Sequence, residues 1–204
     1  TTAVEKVAGR TTYGRVIDWD GKPVSGVSVS DGVFVTKTDS EGRYYLASMR
    51  KNGYVFISVP KNYRVAVNRT IPQFFKRFKS TVSSDYELNT FILAPESNSR
   101  HRMLAFTDCH LANRTNDRKQ FAEFVSDVNS YLSTASGPVY AMTLGDMTWD
   151  QYWYSNSYAF AQYLADVNGI KGLSIFHTIG NHDHDMNAKG DWFTVVKYKK
   201  ELCP

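Results

Sequence analysis

Between residues 9 and 94 apolar and polar positions alternate. In GRVIDWDGKPVSGVSVSDG two such runs are parted by an Asp20-Gly21 turn and by Pro23. VFVTKTDSEGRYYL repeats the rhythm around Ser40-Glu41-Gly42, and GYVFISVP adds another run. A period of two sends successive side chains to opposite faces of a sheet. Short strands at regular spacing with glycine turns predict an all-β sandwich. Residues 60–84 are less regular. There IPQFFKRFKS is expected as a long loop or short helix whose aromatics pack on the sandwich, and DYELNTFILA as a closing strand. APESNSRH, residues 94–101, has the composition of a linker. The expected division is a sandwich over 1–94, a linker over 95–101 and a second domain over 102–204.

From residue 102 the period changes. RMLAFTD is a short continuous apolar run, as in a strand buried on both faces. Phe121, Phe124, Val125, Val128, Tyr131 and Leu132 then fall on one helical face, with Asn116 as the expected N-cap and Gly137-Pro138 as the stop. VYAMTLGD reads as a second buried strand. Phe160, Tyr163, Leu164 and Val167 mark a second helix ending near Gly169, and GLSIFHTIGNHD is a third strand. The order βαβαβ implies a parallel sheet with right-handed crossovers. The fold class is therefore an all-β sandwich followed by an α/β domain.

Composition adds bounds. The chain has 204 residues, 42% hydrophobic and 22% charged, enough for one large domain or two small ones. No apolar run approaches 18 residues, so no transmembrane helix is expected. TTAVEKVAGR has no apolar stretch of the signal-peptide kind, which suits a mature form whose signal has been removed. A net charge of +4 is mildly basic. No basic run interleaves with an RNA-binding motif, so a nucleic-acid partner is not expected. Cys109 and Cys203 are far apart and form neither a disulfide framework nor a CxxC metal site.

The chemistry sits at the ends of the three later strands. They close in TDCH, LGDMTWD and IGNHDHD. In a parallel α/β sheet all three carboxyl ends share one edge, where such sheets bind ligands. Asp108, His110, Asp146, Asn181 and His182 should converge there. Carboxylate, imidazole and amide oxygen together suit a transition-metal site better than a nucleophile triad. An Asp-x-His or a Gly-Asp alone is common, and GNHDHD alone would serve as a hydrogen-bonded turn. Three such segments at three successive strand ends argue for metal. His177 reads as a core or edge histidine, Cys109 as a small packing residue, and the aromatics of WDQYWY as packing rather than a cleft wall.

The ordered set D-x-H at 108–110, G-D at 145–146 and G-N-H-D at 180–183 resembles the calcineurin-like metallophosphoesterases, over residues 102 to about 185. The first half, in GRVIDWDGKPVSGVSVSDG and TKTDSEGRYYL, resembles the carboxypeptidase-regulatory-like, or transthyretin-like, sandwich. The pairing is similar to exported, Bacteroides-type bacterial phosphoesterases. The resemblance implies a hydrolase of phosphate mono- or diesters with two divalent transition-metal ions (Mn, Fe or Zn). It also implies a phosphorylated small-molecule or ester substrate and a periplasmic, cell-surface or secreted location. Asp108 and His110 would bind the first metal, Asp146 would bridge, and Asn181 would bind the second and touch the phosphate. His182 would donate a proton to the leaving oxygen or stabilise the phosphoryl transition state, and Asp183 would orient His182. Relatives often carry G-D-x-x-D. Here Trp149 holds that place and Asp150 comes one later, so Asp150, like His184 and Asp185, is expected outside the ligand set. Relatives also supply further histidines after G-N-H-D, and none follows residue 185 here. The resemblance thus implies a chain truncated midway through its catalytic domain, which could be inactive alone. The competing expectation is a non-enzymatic extracellular sandwich that binds glycan, protein or cell surface and carries a remnant half-domain.

Overall fold

The computed structural model describes residues 3–203. Its strands are, in chain order, β1 (Thr12–Asp18), β2 (Ser28–Ser30), β3 (Val35–Lys37), β4 (Arg43–Leu46), β5 (Tyr54–Ile57), β6 (Tyr63–Val65), β7 (Val67–Asn68), β8 (Ile71–Pro72), β9 (Phe75–Arg77), β10 (Glu87–Leu88) and β11 (Phe91–Pro95). Then come β12 (Arg102–Phe106), α1 (Asp117–Thr134), β13 (Val139–Thr143), α2 (Phe160–Val167), β14 (Ser174–Phe176) and α3 (Asp191–Glu201). The chain forms two compact units. One holds the residues up to Ala66 together with Gln73–Ser99, and the other holds Val67–Pro72 with the residues from Arg100 onward.

The first unit is built of sheet. β1 pairs antiparallel with β4 and parallel with β10 and β11, and β6 flanks β11. A second sheet runs β3-β2-β5-β9. Alternate residues of both sheets, Val16, Tyr44 and Leu93 from one and Val29, Val55 and Ile57 from the other, share one buried core. Gly42 has φ 71°, and a Cβ there would strike the Val16 carbonyl, so the turn before β4 requires glycine. The segment expected as a loop or short helix on the sandwich is instead extended. Ile71–Pro72 pairs with Val67–Asn68, and Phe75–Arg77 forms an outer strand of the second sheet.

Residues 67–72 depart from the expected 1–94 block. Thr70, wholly buried, accepts the Ile175 amide at 2.8 Å and donates its hydroxyl to Asn168 Oδ1 at 2.7 Å. The hairpin thus belongs to the second unit. That unit holds a parallel sheet in the order β12-β13-β14, with α1 and α2 in the intervening connections. Phe121, Val125 and Val128 form the buried face of α1, and Phe106 meets Phe124 at 5.5 Å. Asn116 makes no side-chain cap. The neighbouring Asp117 carboxylate turns back onto the Ala112 amide at 2.8 Å instead. β12 and β13 are not buried on both faces: Met103, Met142 and Leu144 are exposed while Ala141 and Thr143 are buried. The run is apolar throughout, but helix packing covers one face of it. Among the described residues no helix is long and apolar enough to cross a membrane.

Candidate metal centre

The loops after β12, β13 and β14 are tied by backbone bonds before any side chain acts. The amides of Asp108, His110 and Leu111 bond the carbonyls of Gly145, Asp146 and Met147 at 3.0–3.1 Å. Two glycines let the other pair of loops touch. A Cβ on Gly145 would come 2.8 Å from the Gly180 Cα, and one on Gly180 would overlap the Asp146 carboxylate. Asp108, His110 and Asp146 all hold left-handed backbone, with φ 54°, 44° and 55°. That region is costly for residues with a Cβ.

His110, Asp146 and His182 place ligand atoms within 4.8 Å of one another. His110 Nε2 stands 3.4 Å from Asp146 Oδ2 and 4.0 Å from Asp108 Oδ1, and it is buried without a hydrogen-bond partner. Asp108 lies open to solvent, with Oδ2 taking the Thr107 hydroxyl at 2.5 Å. The other Asp146 oxygen accepts the His182 amide at 2.8 Å. The rings of His110 and His182 meet edge to face at 5.0 Å. Asn181 is exposed at the head of the third loop, between Gly180 and His182. Trp149 abuts both histidine rings, and the Arg114 guanidinium lies over it at 4.5 Å.

The expected pairing of Asp183 with His182 does not occur. Asp183 is 1% exposed. Its Oδ1 accepts the Thr148 amide and hydroxyl, both at 2.8 Å, and its Oδ2 accepts the amides of Met147 at 3.2 Å and Gly180 at 3.0 Å. It staples the second loop to the third. Burial pushes its carboxyl pKa up, against the pull of those donors. The group on the His182 ring is Asp150, with Oδ1 at 3.2 Å from Nδ1. Asp150 gets there because its amide bonds the His182 carbonyl at 3.0 Å and a single 3-10 turn begins at it.

Other candidates lie apart. His184 Nδ1 faces Thr194 at 3.3 Å and Asp191 at 3.6 Å, toward α3, and Asp185 takes the Tyr154 hydroxyl at 2.6 Å. His177 is buried with its ring against Tyr163, and loss of solvent lowers its pKa to about 4. Burial pushes the Cys109 thiol up to about 11, so it stays protonated at neutral pH. Thr148 escaped the sequence reading. It is fully buried, gives its hydroxyl to Asp183 and receives the Trp153 indole N–H at 3.0 Å. Its one signal was a hydroxyl residue between two apolar ones in DMTW.

With this geometry in place, comparison with known proteins bears on the other half of the chain. Residues 10–94 match the model of a family described as the N terminal of calcineurin-like phosphoesterase. No curated protein matches the chain. The match supports the calcineurin-like phosphoesterases, a hydrolase family that implies dependence on metal. It covers most of the first unit and none of the loops described above.

Proposed function

We propose that the chain carries a metal-dependent phosphoesterase centre acting on phosphate mono- or diesters through two divalent transition-metal ions (Mn, Fe or Zn). The supporting observation is the buried, unpartnered His110 Nε2 facing the carboxylates of Asp146 and Asp108. A lone pair there would oppose carboxylate oxygens unless a proton or a cation lay between them. A nitrogen and carboxylate donor set fits a transition metal. Asp108, His110, Asp146 and Asn181 would hold the ions. Once bound, such ions supply an activated water and neutralise phosphate charge.

The remaining work falls to the chain. Asp150 fixes the His182 ring through Nδ1, leaving Nε2 to give a proton to the leaving oxygen as the P–O bond breaks. The attacking water loses its own proton to solvent, so the proton count balances. Asp183 acts on the loops and not on the proton.

The test is titration with Mn²⁺ and Zn²⁺, followed by hydrolysis of an alkyl phosphate and of nitrophenyl phosphate. His110→Ala should weaken binding of the ions. His182→Ala should leave metal content unchanged and slow the alkyl ester by roughly 10²–10⁴-fold, and the nitrophenyl ester by less, because a good leaving group needs no proton. Asp150→Asn should cost about 10–100-fold. Absence of any bound ion at millimolar concentration in the unaltered chain would overturn the reading.

A further inference from the structure

The three loops of the candidate centre, residues 107–117, 144–157 and 177–188, carry six aspartates and a single Lys or Arg, Arg114. Its guanidinium is held from two directions. Nη2 donates to the His110 carbonyl at 3.4 Å, and Nε lies 3.6 Å from Asp117 Oδ2. Cζ stands over the Trp149 ring, 4.5 Å from its centre, and 5.8 Å from the centre of the Tyr152 ring. Trp149 in turn meets the His110 ring at 5.2 Å and the His182 ring at 6.1 Å. One indole therefore separates this guanidinium from the imidazoles of the centre. The Arg114 side chain is 39% exposed, so solvent reaches it.

Asp117 is a weak partner for that charge, since 3.6 Å is beyond hydrogen-bond range. Its Oδ2 accepts the Ala112 amide and its Oδ1 the Arg118 amide, both at 2.8 Å, which fixes the start of α1. A guanidinium offers five N–H donors in a planar fork, and the contacts of Arg114 engage Nη2 and Nε. Arg118 shows the contrast: its Nε and Nη2 both bond the Asp166 carboxylate, at 2.8 Å and 2.7 Å.

We propose that Arg114 holds a second anionic group of the substrate, a phosphate or a carboxylate carried beyond the ester that is cleaved. The inference rests on the phosphoesterase reading of the neighbouring centre and narrows its substrates to esters with a further negative charge. The aspartates around the centre repel such a group, so it needs a cation of its own within reach of the phosphate to be cleaved. Arg114 supplies one at a distance of one ring. Its fork matches two oxygens of a phosphate or a carboxylate. Stacking on Trp149 holds the guanidinium before any ligand arrives. A guanidinium that only packs the loop would use the same stack and the same His110 carbonyl, but its removal would leave ligand preference unchanged.

The test is calorimetric titration of the whole, Mn²⁺-loaded chain with three ligands of one carbon-chain length that cannot be hydrolysed. They are butylphosphonate, a butane bisphosphonate with one group at either end, and a phosphonopentanoate with its carboxylate at the far end. The two ligands with a second charge should bind roughly tenfold tighter than butylphosphonate, as one partly exposed charge-assisted contact would give. The tighter of the two tells phosphate from carboxylate. Arg114→Gln should abolish that preference and leave the affinities for Mn²⁺ and butylphosphonate within about twofold. Arg114→Lys, which keeps the charge but not the fork, should retain part of it. Lys119→Gln, which removes the same charge from an exposed position on α1, should leave it intact. The inference fails if the second charge gives no gain, or if the gain survives Arg114→Gln. Where Arg114→Gln melts at a lower temperature, Arg114→Lys decides, and an undiminished preference there overturns the inference. In each of these cases Mn²⁺-dependent binding of butylphosphonate leaves the phosphoesterase reading standing. A chain that takes up no Mn²⁺, or binds no phosphonate, would overturn both.

Discussion

Asp183→Asn should destabilise the second unit by about 3 kcal/mol. Four donors share the carboxylate: the Thr148 amide and hydroxyl on Oδ1, and the Met147 and Gly180 amides on Oδ2. Asparagine has one oxygen. Turned toward Thr148, it directs its NH₂ at two N–H groups that cannot accept. Each buried donor left unmet costs about 1–3 kcal/mol. Part of that is offset because burial already disfavours the charged carboxylate, as its raised pKa shows. Urea unfolding followed by tryptophan emission suits the measurement, since Trp149, Trp153 and Trp192 lie in the second unit and Trp153 bonds Thr148. Affinity for Mn²⁺ should fall as well, because the stapled loops carry Asp146 and His182. If stability moved by less than about 1 kcal/mol while turnover dropped, Asp183 would be positioning His182 after all and the staple argument would be wrong.

Three further outcomes are expected. His177 titrates at about 4 in the fold against 6.5 when exposed. The fold therefore binds fewer protons than the unfolded chain, and stability is full above pH 6.5. It is lost as pH falls toward 4, by about 3 kcal/mol in all; His177→Phe should flatten urea midpoints measured across that window. Thr70→Ala should cost about 1–2 kcal/mol and speed hydrogen exchange at the Ile175 amide, whose acceptor is the Thr70 carbonyl. Exchange rising only in residues 10–66 would show that the hairpin serves the first unit instead. Asp108→Gly should leave melting nearly unchanged, because glycine adopts φ 54° without penalty, while weakening Mn²⁺ binding; a large loss of stability would deny Asp108 its place as an exposed ligand.

What could be read from the sequence follows from how local each cause is. β1, β4 and β5 were legible because alternation and a glycine turn act within a few residues. The hairpin at 67–72 was not. It pairs two residues with two, and what fixes it is β14, about a hundred residues on, so tertiary contact overrides any local preference. Likewise the apolar run of β12 and β13 does not say which face a helix covers, and Met103 and Leu144 lie open. At the centre, the meeting of His110, Asp146 and His182 follows from strand order alone. The partner of His182 does not. Asp150 and Asp183 are both near in sequence to the meeting loops, and a single 3-10 turn decides between them.

The backbone at this centre gives the last physical argument for its being a site. Left-handed conformation costs roughly 1–2 kcal/mol for a residue with a Cβ, somewhat less for Asp, which bonds its own backbone. Three such residues, Asp108, His110 and Asp146, occur within two short loops. A fold seeking only stability would have glycine there, as it does at Gly42 and Gly145. The strain persists because three cross-loop amide bonds and the four-donor staple of Asp183 over-determine the loops. What that rigidity secures is the approach of an imidazole nitrogen to two carboxylates, without a hydrogen bond between them. With neither a proton nor a cation on that nitrogen the arrangement costs free energy, and a cation held there would offset the cost by linking loops that the sequence places at three separate strand ends.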